Sequence, residues 1–355
     1  MTTVTGMGSW PGTDVRETLR LVRDTVGALG DDSESHGVTG LTYLPELPSR
    51  GPGADLVARG LGLLVDLPVD LQPSGWRIVD RPGHDLGRTR AFLREDLDEL
   101  ADAYDGWTGP LKVQVAGPWT LAASTWMPRG ERVAGDPGAS RDLVDSLAEG
   151  VREHLAAVRR LVPGADVVLQ LDEPSLPAVL AGHLPTASGY GVVRAVDPAV
   201  VLAGLQTVLA ASSEGSEPGL GAAAGAPAAR RPLVHCCSPD VPLPLLRRTV
   251  ADLAVDTSLL GPRGWEGVAV GIEEGMTLYA GCVPSVPSAA GPPRAQDVAA
   301  GLVRRWHELG LPTATLGDLV VSPACGLSGL TPEAARRVQQ VCIDVARELA
   351  ERASG

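Results

Sequence analysis

Short apolar runs rich in β-branched residues alternate with longer stretches of three- to four-residue periodicity along the whole chain. The runs at Thr3–Gly8, Val38–Leu44, Lys112–Ala116, Ala165–Leu171, Pro232–Cys236, Leu253–Asp256, Met276–Cys282 and Ala314–Val321 predict eight strands. The stretches Thr13–Leu29, Gly53–Gly62, Gly87–Tyr104, Ser140–Leu161, Asp197–Ala211, Val241–Ala251, Ala295–Leu309 and Thr331–Ala353 predict amphipathic helices. Strands that alternate with helices pair in parallel. Eight such units predict an α/β fold closed as a (β/α)8 TIM-type barrel in preference to a doubly wound sheet.

Two segments break the repeat within what reads as a single domain spanning residues 1–355. Residues 66–83 predict an inserted hairpin or lobe. Residues 212–231 are rich in Gly, Ala, Ser and Pro and almost free of large apolar side chains. They cannot bury enough surface to offset their ordering entropy, so a flexible loop is expected. It precedes the fifth strand, which in a barrel puts it opposite the C-terminal strand ends.

Composition narrows the function. A net charge of −13 disfavours nucleic acid, whose phosphates call for basic patches. No run of about eighteen apolar residues predicts a membrane span, and no basic-then-apolar opening predicts secretion. The five cysteines are odd in number and unevenly spaced, which does not suit a disulfide framework. A cytoplasmic chain with reduced thiols is expected. Lys112 is the sole lysine.

The residues with the most chemical potential lie in the last third. His235 and Cys237 are two apart at the end of a strand, so both side chains share a face. Asp256 ends the next strand, and Cys325 follows the last. In a barrel all of these loci reach the C-terminal rim. One nitrogen, two sulfurs and a carboxylate suit zinc. The alternative is a satisfied core histidine beside cysteines acting as small apolar residues. Cys236 should face the other way and pack, and Cys342 should be core. A second constellation, Leu169-Gln-Leu-Asp-Glu-Pro174, sets Asp172 and Glu173 at a strand end. There they either meet a cationic group such as a substrate ammonium or cap the helix after Pro174. Gly6-Met-Gly-Ser-Trp-Pro-Gly-Thr13 is a glycine-rich turn suited to a carboxylate. Val113-Gln-Val-Ala-Gly-Pro-Trp-Thr-Leu121 runs from a strand into a turn, and its Trp119, with Trp126 nearby, either stacks on a flat ligand or packs in the core.

Together and in this order, these segments resemble the catalytic C-terminal barrel of the cobalamin-independent methionine synthase family. The resemblance rests on Gly8-Ser-Trp-Pro-Gly-Thr13, Ala116-Gly-Pro-Trp-Thr120, Gln170-Leu-Asp-Glu-Pro174, His235-Cys-Cys237, Asp256-Thr-Ser258, Val283-Pro-Ser285 and Cys325-Gly-Leu327, and covers nearly the whole chain. It implies Zn2+ held by His235, Cys237 and Cys325, with Asp256 at the carboxylate position. It implies homocysteine as methyl acceptor, its ammonium on Asp172 and its carboxylate on Ser9. Glu46, in Leu44-Pro-Glu-Leu-Pro, aligns as a second amino-binding acid.

The sequence departs from the family at three points. Asp256 replaces a longer Glu. Tyr279 stands where the family has a His that assists protonation of the folate leaving group, and tyrosine is a much weaker acid. The sequence corresponds to the catalytic barrel without the N-terminal barrel that helps hold polyglutamyl folate. The acceptor half is therefore legible, while the donor stays open between methyltetrahydrofolate and a methylated corrinoid, the latter free or on a partner protein. The rival functions are methyl transfer to or from another thiol, a uroporphyrinogen decarboxylase-like activity, and a zinc-binding protein without catalysis. The decarboxylase would leave His-x-Cys and the late Cys idle. The binding protein would not need the Ser9 and Asp172 segments on the same rim.

Overall fold

A computed structural model of the chain describes residues 1–29, 37–213, 230–286 and 291–355. β1 (Thr2–Val4) leads to α1 (Val15–Val22). β2 (Val38–Gly40) and β3 (Thr42–Tyr43) lead to α2 (Leu56–Leu63), the strands β4 (Val69–Gln72) and β5 (Gly75–Ile78), and α3 (His84–Ala103). β6 (Pro110–Ala116) is followed by α4 (Pro118–Ser124) and α5 (Pro137–Leu161), and β7 (Asp166–Asp172) by α6 (Leu176–Ala181) and α7 (Pro198–Ala210). The remaining units are β8 (Leu233–Cys236) with α8 (Leu243–Leu246), β9 (Asp252–Asp256) with α9 (Pro262–Glu273), β10 (Leu278–Val283) with α10 (Ala295–Leu309), and β11 (Val320–Pro323) with α11 (Pro332–Ser354).

The main sheet runs β2-β1-β11-β10-β9-β8-β7-β6-β3, parallel throughout. Its two ends belong to one chain segment. Only Leu41 separates β2, which pairs with β1, from β3, which pairs with β6, and the Leu41 N–H donates to Val4 O at 2.9 Å. A single interrupted strand thus closes the ring, and the fold is the expected (β/α)8 barrel. Asp14, Asp55, Asp136, Asp197 and Thr331 cap α1, α2, α5, α7 and α11 by accepting first-turn N–H groups, which satisfies donors that helix starts leave unpaired.

Alternation sorts the side chains. Val168, Gln170 and Asp172 on β7 point into the barrel beside Lys112, Gln114 and Ala116 on β6, and Leu233 and His235 on β8 continue the pattern. Met7, Leu41, Val168, Leu233, Ala254, Tyr279 and Val320 form one buried apolar layer inside. On β7 and β8 this layer lies two residues nearer the N-terminal strand ends than the polar side chains above it. The rest of the core lies between strands and helices and includes the fully buried Trp119 and Trp306.

The expected lobe at 66–83 contains the antiparallel hairpin β4–β5, with Val69 opposite Ile78 and Leu71 opposite Trp76. The loop expected at 212–231 lies, over residues 214–229, outside the described residues. Three local expectations are corrected. Of Ala314–Val321, only Val320 onward is strand, because Thr313–Asp318 winds into a 3-10 turn. Val241–Ala251 yields only the short α8 and a 3-10 turn. The helix α9 was not expected, because Gly264, Gly267 and Gly271 lower its helix propensity. The last two of these buy close packing: a Cβ at Gly267 would sit 3.0 Å from Leu243, and one at Gly271 2.6 Å from Met276.

Candidate metal centre

His235 ends its strand on the barrel face, and Cys237 follows one residue beyond β8. Cys325 sits in the turn after β11. Although 88 residues separate the cysteines, their sulfurs lie 3.0 Å apart, close enough to share a proton and too far for a disulfide bond. One ligand atom from each of His235, Cys237 and Cys325 lies within 4.8 Å of the others, and these three form the candidate metal cluster among the described residues. The hydrogen bond from Cys237 pulls Cys325 below the ordinary thiol value against the effect of burial, with the nearby His235 charge helping. The same contact and burial push Cys237 up.

The histidine is prepared on its other side. His235 Nδ1 lies 2.6 Å from Asp172 Oδ1, while Nε2 is buried with no hydrogen-bond partner among the described residues. Burial works to lower the His235 pKa, and the hydrogen bond and charge of Asp172 outweigh it, for a net rise. A buried ring nitrogen without a partner costs free energy. A carboxylate that holds one ring nitrogen and leaves the other free is the usual support of a metal-bound histidine. One nitrogen and two sulfurs fit zinc, and three protein donors leave a coordination position for a further ligand.

Asp256, the expected carboxylate ligand, is not in this cluster. Its Oδ1 accepts from Ser258 N–H at 2.9 Å and Ser258 Oγ at 2.6 Å, and so caps the turn that follows β9. Tyr279 is not at the rim either. It lies in the apolar layer of the barrel interior, 2% exposed, and burial pushes its phenol well above the ordinary value. Cys236 faces the opposite way and is fully buried, pushed up to about 12 by desolvation. Cys342 is core.

Asp172 and Glu46 are buried carboxylates. Asp172 Oδ1 also accepts from Gln170 Nε2 at 2.7 Å. Glu46 is 3% exposed and pairs with Arg59 Nε at 3.1 Å; Arg59 continues to Asp96, which pairs with Arg50. Burial raises the Glu46 pKa, Arg59 opposes, and the charge of Asp172 adds to the rise. Glu46 thus already has a cationic partner in Arg59, and it stands near enough to Asp172 for that charge to act on it. Ser9 is joined to both neighbours through the backbone. Trp10 N–H donates to Glu46 O, Glu46 N–H to Gly8 O, and Leu327 N–H to Ser9 O, each within 3.1 Å. Ser9 Oγ contacts Ser328 Oγ at 3.3 Å. A Cβ at Gly326 would sit 2.0 Å from Ser9 Oγ, so the glycine after Cys325 is what lets that turn close on Ser9.

Glu173 has a different partner from the one expected. Its carboxylate accepts from Trp119 N–H, Thr120 N–H and Thr120 Oγ1 at 2.7–2.9 Å, capping α4 instead of the helix after Pro174. The Asp-Glu-Pro and Gly-Pro-Trp-Thr segments are therefore one device, which locks β7 to β6. Trp119 is core, its Nε1 bonded to Val201 O, and Trp126 stacks with Arg132. Lys112 and Gln170 were missed as participants. The signal was available in a lone lysine at an inward position of an apolar strand.

The fold and site define a parallel α/β barrel carrying a His-Cys-Cys cluster on its C-terminal rim. Among solved structures the chain is similar to a B12-independent methionine synthase from Shewanella sp. W3-18-1, crystallised with selenomethionine. The likeness has a TM-score of 0.55 at 13% identity and covers 97% of this chain and 96% of that one. It establishes the fold. No protein-family profile matches the chain, and no curated protein matches it. No helix among the described residues is long and apolar enough to cross a membrane.

Proposed function

We propose that the chain is a zinc-dependent methyltransferase that transfers a methyl group to the thiol of homocysteine, giving methionine. The observation that carries this reading is the His235 ring: Nδ1 is held by Asp172, and Nε2 is left buried and free within the His235–Cys237–Cys325 cluster. The fold neighbour, a methionine synthase of the same extent with selenomethionine bound, supports the same reaction.

His235, Cys237 and Cys325 would hold the metal. Zinc bound by one nitrogen and two sulfurs lowers the pKa of an added thiol and keeps its sulfur electron-rich. The other residues position the acceptor. Asp172, through Oδ2, which has no hydrogen bond among the described residues, and Glu46 would receive the ammonium group. Ser9, backed by the Cys325-Gly326-Leu327 turn, would receive the carboxylate. In the reaction the sulfur–carbon bond forms as the donor–carbon bond breaks; the thiol proton leaves to solvent, and the donor departs with the electron pair of the broken bond, held on a corrinoid or, on a folate nitrogen, completed by a proton from solvent. Alignment of the sulfur with the methyl group is the protein's main contribution. Tyr279, which stands where the family has a proton donor to the folate leaving group, lies below the rim. The donor is accordingly read as methyltetrahydrofolate or a methylated corrinoid, free or on a partner protein.

The test is methionine formation from homocysteine with methyltetrahydrofolate, its polyglutamyl form and methylcobalamin, wild type against Cys325→Ser. Methionine with one donor, lost in the variant, is the expected result. Methylation of an alkyl thiol lacking the amino group, as fast as that of homocysteine, would overturn the assignment of the acceptor.

A further inference from the structure

Lys112 lies on β6 facing the barrel interior, with no solvent exposure. An ammonium there is expensive to bury, and no carboxylate lies within ion-pair distance of it among the described residues. Its Nζ donates to Gln170 Oε1 at 2.6 Å and lies 5.4 Å from the centre of the Tyr43 ring. Burial pulls its pKa down to about 8, and the charges of Asp172 and Glu46 act against this, so it carries its charge at neutral pH.

The hydrogen bonds form one directed chain. A lysine ammonium can only donate, so the Gln170 amide must turn its oxygen to Lys112. Its nitrogen is then forced toward Met7 O, at 3.0 Å, and Asp172 Oδ1, at 2.7 Å. Asp172, an acceptor, takes the His235 Nδ1–H at 2.6 Å. What remains at the end of the chain is His235 Nε2, buried and without a partner among the described residues. Met7 O and Asp172 Oδ1 can only accept, so they and the Lys112 ammonium together demand one orientation of the Gln170 amide.

We propose that Lys112 is a positioning residue: through Gln170 and Asp172 it fixes the ring orientation and tautomer of His235, so that Nε2 is presented to a metal ion beside Cys237 and Cys325. This rests on the metal-centre reading above. It assigns a role to the sole lysine and explains why a buried charge is kept without a salt bridge.

The experiment is a double-mutant cycle on zinc affinity, measured by competition with a chromogenic chelator, for Lys112→Met, Gln170→Leu and the double variant. Loss of an outer-shell partner weakens metal binding about 10- to 100-fold. Each single variant is expected to weaken zinc about tenfold and the double variant no further, because both break the same chain. A metal-independent readout accompanies it. In 15N-histidine-labelled, zinc-free protein, the hydrogen-bonded Nδ1–H of His235 should give a downfield, slowly exchanging signal that both single variants lose. Wild-type zinc affinity in Lys112→Met, additive losses in the double variant, or an unchanged Nδ1–H signal would each overturn the proposal. Failure of the wild-type protein to bind zinc would instead overturn the metal reading, and the Nδ1–H signal would still decide whether the chain of hydrogen bonds orients the ring.

Discussion

Asp172 Oδ1 lies 2.6 Å from His235 Nδ1, and the two residues are in register on adjacent strands β7 and β8. The contact gives Asp172 a second task. Besides the ammonium-binding role that the resemblance implies, one of its oxygens holds a candidate metal ligand. Asp172→Asn should therefore damage zinc binding as well as homocysteine binding. Zinc affinity should fall about 10- to 100-fold while the melting temperature changes little, since the amide fits the same space. Chelator competition and thermal melts check both parts.

The two sulfurs should act as one unit. Wild-type protein should carry one equivalent of zinc by elemental analysis, and Cys237→Ser and Cys325→Ser close to none. Cys236→Ser should keep its zinc, because Cys236 faces away from the cluster and is fully buried. Asp256→Asn should keep its zinc too, because the Asp256 carboxylate is committed to Ser258.

Gly117 tests whether two motifs form one device. A Cβ at this position would meet the Glu173 carboxylate at 2.4 Å. Gly117→Ala should push that carboxylate off the N-terminus of α4 and cost about 2 kcal/mol, the usual scale of overpacking plus a lost cap. Urea unfolding measures it, and Gly301→Ala, where the added atom meets open space, serves as the control.

The buried lysine has a pH signature. Its folded pKa, about 8, is below the ordinary value of 10.5. Between these two pH values the unfolded chain holds the proton more tightly, so stability rises with pH across that window. The contribution is present above 10.5 and lost as pH falls through about 8. Lys112→Met lacks this dependence. Wild type should gain on the order of 3 kcal/mol relative to the variant from pH 8 to pH 10.5, measured by urea unfolding.

Periodicity revealed the barrel because each strand–helix unit is locally encoded: α10 spans Ala295–Leu309, the segment whose spacing predicted it. It missed α9, whose glycines are explained only by the side chains of Leu243 and Met276 packed against them. His235, Cys237 and Cys325 were legible because few roles bring those residue types to strand ends. The position of Asp256 was not, since a carboxylate at a strand end can cap a turn as readily as it can bind a metal. Lys112 and Gln170 were invisible as a pair, because their contact links β6 and β7 across 58 residues, and only the register of the closed barrel brings them together.

The His235–Cys237–Cys325 cluster should bind zinc and present it to an amino-acid thiol. X-ray absorption at the zinc edge, before and after addition of L-selenohomocysteine, tests it without knowledge of the methyl donor. A nitrogen-and-sulfur environment that gains one selenium neighbour on addition and loses a light-atom neighbour is expected. A zinc spectrum that selenohomocysteine leaves unchanged at saturating concentration would contradict it.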